Sequence, residues 1–351
     1  MPQHAELIWV SHEDRIRRFW AGRVRGIASF TPEALRAPQA WADDARLART
    51  REELATLKPD PRNVTLPSVF PDYGTISMPK YWGGRWRIAD GTGFPFIEPA
   101  AATVGEALAL EPRRPEDPAL DGARALRLWR ACRTGPHGGR LGFRTPDFQG
   151  VLNTAGLVVN QEALLVAFYE EPDLVHAWLQ RVCDFLIALH AWLIRETGGR
   201  VYGNIWPYAV LPGDLGVSFT EDLMPLLSPE QWKTFGLPYV RQIERAFGPA
   251  LIHCCGAWGR HVPALLESDL RLAAMEAHDP FTTIEEIAPL AWAKDMALIP
   301  YIALDRQSRF GSALEYYRWL WTTYPDIRFW FAFSGEPDDA AFAFLEAING
   351  C

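Results

Sequence analysis

Ala250-Leu251-Ile252-His253-Cys254-Cys255-Gly256 reads as a short apolar strand that ends in metal-ligating side chains. Side chains alternate across a β-strand, so His253 and Cys255 share one side and Cys254 takes the other. An imidazole and a thiolate converging from one rigid strand make half of a tetrahedral zinc site. A plainer role is open to the same residues. Free cysteine packs as a small hydrophobe, and a buried strand histidine can simply hydrogen-bond a neighbour.

Outward from this strand, apolar runs alternate with amphipathic helical stretches from residue 140 onward. The runs are Arg140–Thr145, Val201–Trp206, Ala250–Cys255, Leu272–Ala277, Leu298–Ala303 and Ile327–Phe333. The intervening helices carry start signals. Ser228-Pro229-Glu230-Gln231 sets a cap, a first-turn proline and a capping-box partner in order, and Thr283…Glu286 and Ser312…Glu315 repeat the spacing. Strands regularly followed by helices indicate βα units and a parallel sheet. Val24–Phe30 and Leu66–Phe70 bring the expected strands to eight, the number that closes a (β/α)8 TIM barrel. Residues 76–125 hold an expected hairpin (Trp86–Gly93, turning at Asp90-Gly91) and a Pro-rich charged stretch at Pro112–Pro118. They read as an insertion on the N-terminal half of a single domain spanning 1–351.

Composition narrows the function. Among 351 residues, 15 Trp and 19 Phe supply a large core, and a net charge of −8 argues against generic nucleic-acid binding. The basic run Arg15, Arg17, Arg18, Arg23 and Arg25 is interleaved with acids and reads as a solvated helix face. No apolar segment reads as long enough to span a bilayer, and Met1-Pro-Gln-His-Ala-Glu6 lacks the pattern of a signal peptide, so the expected setting is cytoplasmic. Five widely spread cysteines (Cys132, Cys183, Cys254, Cys255, Cys351) do not form a disulfide framework.

In a barrel, chemistry sits at the C-terminal ends of the strands. Those ends carry Asp72 and Tyr73, Thr145 and Asp147, Asn204 and Trp206, His253 and Cys255, then Glu276, His278 and Asp279, then Asp305, Ser334 and Glu336. Some of these are ordinary loop-starting and helix-capping residues, Asp147, Asp279 and Asp305 above all. Aromatic residues gather at the same ends (Tyr73, Phe148, Trp206, Tyr208, Trp258, Tyr301) and would suit a large flat ligand, although most such residues serve as core or rim in any barrel.

The stretch from Ser218-Phe-Thr-Glu-Asp-Leu through Ser228-Pro-Glu and Leu237-Pro-Tyr239 to Ile252-His-Cys-Cys-Gly256 resembles the uroporphyrinogen decarboxylase superfamily. Thr145-Pro-Asp-Phe-Gln-Gly150, Gln161-Glu-Ala-Leu-Leu and Glu171-Pro-Asp-Leu-Val resemble the segment that precedes it. The likeness covers roughly residues 140–348 well and 15–100 loosely. It implies a (β/α)8 barrel and one of two chemistries. One branch decarboxylates uroporphyrinogen without a cofactor; the other comprises corrinoid-dependent methyltransferases that use zinc to activate a thiol. The decarboxylase branch carries Met-Arg-Gln-Ala-Gly-Arg near its start, whereas Arg18-Phe-Trp-Ala-Gly-Arg23 shares letters without the spacing, so uroporphyrinogen itself is an unlikely substrate.

The methyltransferase branch binds zinc through His-x-Cys and a later cysteine, and His253 and Cys255 match the first two positions. After Ile327–Phe333 this chain has Ser334-Gly335-Glu336-Pro337 instead, and Cys351 is the sole later thiol. Glu336 or Glu276 is therefore the expected third ligand, in a His/Cys/Glu site with an open fourth position. His278 is an alternative ligand or a base. Glu221 and Asp222 match the acidic loop bordering the family's cleft and, with Tyr73 and Asn204, complete the expected catalytic set. No Asp-x-His-x-x-Gly corrinoid signature is present, so a corrinoid would arrive on a separate carrier protein. The expected function is zinc-assisted transfer of a methyl group between a corrinoid protein and a thiol or similar acceptor. The alternatives are a cofactor-independent decarboxylase of a carboxylic acid and a non-catalytic ligand-binding barrel.

Overall fold

The structure is a computed structural model that describes residues 2–31, 43–88, 95–204, 208–304, 308–335 and 337–350. Among them the chain forms an α/β fold built on parallel strands. In chain order these are β1 (Gly26–Thr31), β2 (Ser68–Val69), β3 (Arg85–Ile88), β4 (Pro95–Glu98), β5 (Gly142–Thr145), β6 (Val201–Asn204), β7 (Val217–Thr220), β8 (Ala250–His253), β9 (Leu272–Asp279), β10 (Ala297–Ile302) and β11 (Arg328–Ser334). Six form one parallel sheet in the order β1-β11-β10-β9-β8-β7, and three form a second in the order β2-β5-β6. The sheets meet where Gln149, just past β5, bridges Thr220 at the end of β7. β3 and β4 pair only with each other, as an antiparallel hairpin.

Strands buried on both faces read as continuous apolar runs, which is why these were legible. The alternation is visible in β11. Phe329 and Phe331 pack into the larger core shared with the helices, while Trp330 between them joins a second cluster with Ile27, Leu251, Ala274 and Ile299. Trp9, Ile16 and Phe19, from the helix Pro2–Trp20, enter that second cluster. Fully burying one such large side chain stabilises by about 1.5–3 kcal/mol, so this strand alone contributes several. The helix starts hold too. Ser228 and Gln231 form a complete capping box, and Ser312 accepts the backbone N–H of Glu315.

Three expectations need adjusting. Val217–Thr220 is a strand beyond the eight expected from the sequence. The expected Trp86–Gly93 hairpin is wider, its second strand starting at Pro95, and its Asp90-Gly91 turn lies outside the described residues. The helix Pro172–Thr197 is, by length and composition, apolar enough to cross a membrane, contrary to the expectation that no segment is. Its stripe of Trp178, Val182, Leu186, Leu189 and Leu193 is buried inside the fold, at the spacing of a core-facing helix.

Candidate metal centre

The register of β7 against β8 assembles the site. Thr220 pairs with His253, so two residues further along each chain Asp222 meets Cys255. The backbone N–H of Cys255 donates to Asp222 Oδ1 at 2.9 Å, and Asp222 Oδ1 lies 3.7 Å from His253 Nε2. One ligand atom from each of Asp222, His253 and Cys255 falls within 4.8 Å of the others. Gly256 permits this close turn, because a Cβ there would sit 2.6 Å from Pro225 Cγ.

His253 is held from behind. Its Nδ1 is hydrogen-bonded to Glu276 Oε2, while Glu276 Oε1 meets His278 Nε2 at 3.2 Å. The His278 ring stacks on Tyr301 with centroids 4.4 Å apart. Thr282 Oγ1 accepts from Trp258 N at 2.9 Å and donates to the Gly256 carbonyl at 2.9 Å, tying the β8 end to the β9 end.

Electrostatics follow from this packing. Burial disfavours the charged imidazole of His253, but Glu276, the hydrogen bond with Cys255 and Asp222 outweigh it and raise its pKa well above the usual value. Burial works against the Glu276 carboxylate as well, yet the two histidines bring its pKa down to about 2. The cluster thus holds an ionised carboxylate against the far nitrogen of His253, the arrangement that fixes the tautomer of a metal-ligating histidine. Histidine, cysteine and carboxylate within this distance of one another are a donor set suited to zinc.

The other expected residues fall in different places. Glu276, expected as a ligand, occupies the second nitrogen of His253 because it projects from the neighbouring strand behind the ring. Glu336 lies outside the described residues, as do Trp206, Asp305 and Cys351. Asp222, expected among the catalytic residues, stands with His253 and Cys255. Glu221 is shut off from solvent, and its carboxylate accepts the N–H groups of Leu152 and Asn153 at 3.4 Å, at the start of the helix Val151–Val158. A Cβ on Gly150 would collide with Glu221 Oε1 at 2.2 Å, so the acid fills the space that glycine leaves. Burial pushes its pKa to about 8, against the opposing pull of those N–H groups.

Tyr73 is buried between the guanidinium groups of Arg46 and Arg124, 4.3 and 4.5 Å from its ring centre. Asn204 joins the two sheets: its Oδ1 accepts Phe148 N at 2.8 Å and its Nδ2 donates to Thr220 Oγ1 at 3.2 Å. Its neighbour Asp147 is buried, and desolvation, then the negative charge of Asp72, lift its pKa to about 7. Both residues therefore fasten β5 and β6 to β7.

No known protein family and no curated protein matches the chain. Its fold, however, is shared with solved structures. Among these is a methyltransferase from Methanosarcina mazei, at a TM-score of 0.62 and 10% sequence identity, over 95% of this chain and 96% of that one.

Proposed function

We propose that the chain is an enzyme of the uroporphyrinogen decarboxylase-like kind that transfers a methyl group with the help of zinc. The observation that carries this reading is the Asp222, His253 and Cys255 cluster at the end of β8, backed by Glu276, in a fold shared with a methyltransferase. In this reading the six- and three-stranded sheets are the walls of a (β/α)8 barrel, joined at Gln149–Thr220, and residues 76–125 are an insertion on it.

His253, Cys255 and Asp222 would hold the metal, which would supply the Lewis acidity that lowers the pKa of a substrate thiol toward neutral. Glu276 keeps the His253 ring oriented, with the proton on Nδ1. His278, aligned by the same carboxylate, takes up the thiol proton. The methyl donor is a corrinoid on a separate carrier protein, the acceptor is a small thiol, and a cytoplasmic setting keeps Cys255 reduced.

Metal analysis of the purified protein tests the reading. The expected content is about one zinc per chain, lost in Cys255→Ser and His253→Ala. Methyl transfer from a methylated corrinoid protein to a thiol should fall with it. A protein that carries no metal and keeps its activity in chelator would sink the proposal.

A further inference from the structure

A cavity of about 340 Å³ lies between β1 and β2 beneath the helix Asp43–Thr56, and none of the metal-cluster residues lines it. Its size falls within the range of small-molecule sites. Phe70, Tyr208, Leu54 and Leu66 give it an apolar body, and Ser29 and Ser68 add hydroxyls.

Its cations outnumber its anions. Of the lining acids, Glu53 is paired with Arg49 at 2.9 Å and Asp60 with Arg62 at 2.7 Å. Asp72 remains, its Oδ1 accepting the Gly74 N–H, against Arg46, Lys58 and Arg144 in the same lining.

Arg144 is the unusual member. It projects from β5, is 1% exposed, and forms no ion pair with a carboxylate among the described residues. Nη1 donates to the carbonyls of Asn204 and Ala209 at 2.9 and 3.1 Å, and Nη2 donates to that of Tyr208 at 3.2 Å. The guanidinium also lies over the Phe70 ring, 4.5 Å from its centre. A guanidinium carries five N–H donors. These three bonds leave one N–H on Nη2 and the N–H on Nε, and Nε has no partner among the described residues. Burial without a counter-charge brings the Arg144 pKa down to about 9. Taking a cation out of water with no anion beside it is costly, and a bound anion would offset that cost.

We infer that this cavity is a binding site for a small organic carboxylate with an apolar body, drawn there by the buried, uncompensated charge of Arg144 in its wall. Arg46, buried at the cavity wall and stacked on Tyr73, adds positive charge. The apolar body of the ligand lies against Phe70 and Tyr208. This inference does not depend on the metal reading.

The test is calorimetric titration of the whole purified protein with phenylacetate and with its neutral analogue phenylacetamide. Phenylacetate should bind, and the amide about tenfold or more weaker, as expected for loss of a charge-assisted bond to a buried group. Arg144→Met should remove the preference for the acid. Should that variant fail to fold, Ser68→Leu, which fills the cavity from β2, should abolish binding while circular dichroism stays unchanged. His253→Ala should bind phenylacetate as the parent does, which separates this site from the metal cluster. Phenyl phosphate binding more tightly than phenylacetate would overturn the carboxylate assignment. Equal binding of acid and amide, or acid binding unchanged in Arg144→Met or in Ser68→Leu, would overturn the site.

Discussion

His253 and His190 are both deeply buried imidazoles, and the two regions that hold them treat the ring in opposite ways. At the end of β8, His253 has Glu276 on one nitrogen and Asp222 and Cys255 near the other, and its pKa rises. Behind the three-stranded sheet, His190 sits on the helix Pro172–Thr197 between Phe148 and Phe247, with centroids 5.1 and 4.6 Å away. Neither of its nitrogens has a partner among the described residues, and burial brings its pKa down to about 4. One ring stands against carboxylates that favour its charge. The other is packing that tolerates a polar atom only while it stays neutral.

The largest expected effect comes from breaking the first environment. His253→Ala should take bound zinc from about one per chain to near zero, measured by metal analysis after dialysis. The second environment should respond to acid instead. The unfolded His190 takes up a proton near 6.5 and the folded one near 4, so between those values the unfolded state binds more protons and stability falls as pH falls. The loss is about 1.4 kcal/mol per pH unit across that window, and it levels off below it. Urea melts at pH 7 and pH 4.5 should show it as the difference in slope between the parent and His190→Leu, because Glu221 and Asp147, whose pKa values burial raises, respond to acid in the opposite sense. His261, whose pKa burial also lowers to about 4, adds a parallel dependence that remains in that variant.

Smaller effects sharpen the contrast. Glu276→Gln keeps the shape behind His253 but removes the charge, and should weaken zinc binding about 10- to 100-fold in a competitive chelator titration. An unchanged affinity would mean that the carboxylate does not support the ring. Phe70→Leu removes the aromatic face beneath Arg144 and should cost about 1 kcal/mol of stability in denaturant melts.

Burial on both faces explains what the sequence made legible. Ala250-Leu-Ile252, Ala297–Ile302 and Phe329–Phe333 are apolar without interruption, so their strands are legible directly. Val217-Ser-Phe-Thr220 is not, because Ser218 and Thr220 make four residues look like loop. That omission hid the partner of Cys255. Only with β7 in register against β8 does Asp222 arrive opposite the thiol. The role of Glu276 was hidden for a related reason. Strand periodicity says that Glu276 and His278 share a side, but not that a neighbouring strand's histidine stands between Glu276 and the ligand position. Glu221 looked like a cleft acid because a buried carboxylate at a helix start depends on Gly150, some seventy residues earlier.

The pairing of β1 with β11 has a consequence for how the chain is made. Gly26–Thr31 lies along Phe329–Ser334, with Gly26 opposite Phe329 and Phe30 opposite Phe333. At ribosomal speeds of about 5–20 residues per second, the partner of β1 is synthesised roughly 15–60 s after β1 itself. Throughout that interval Ile27, Ala28 and Phe30 form an apolar segment without its native neighbour. Overexpression that outruns chaperone capacity should therefore yield aggregates seeded by this segment, and slower synthesis at low temperature should raise the folded fraction.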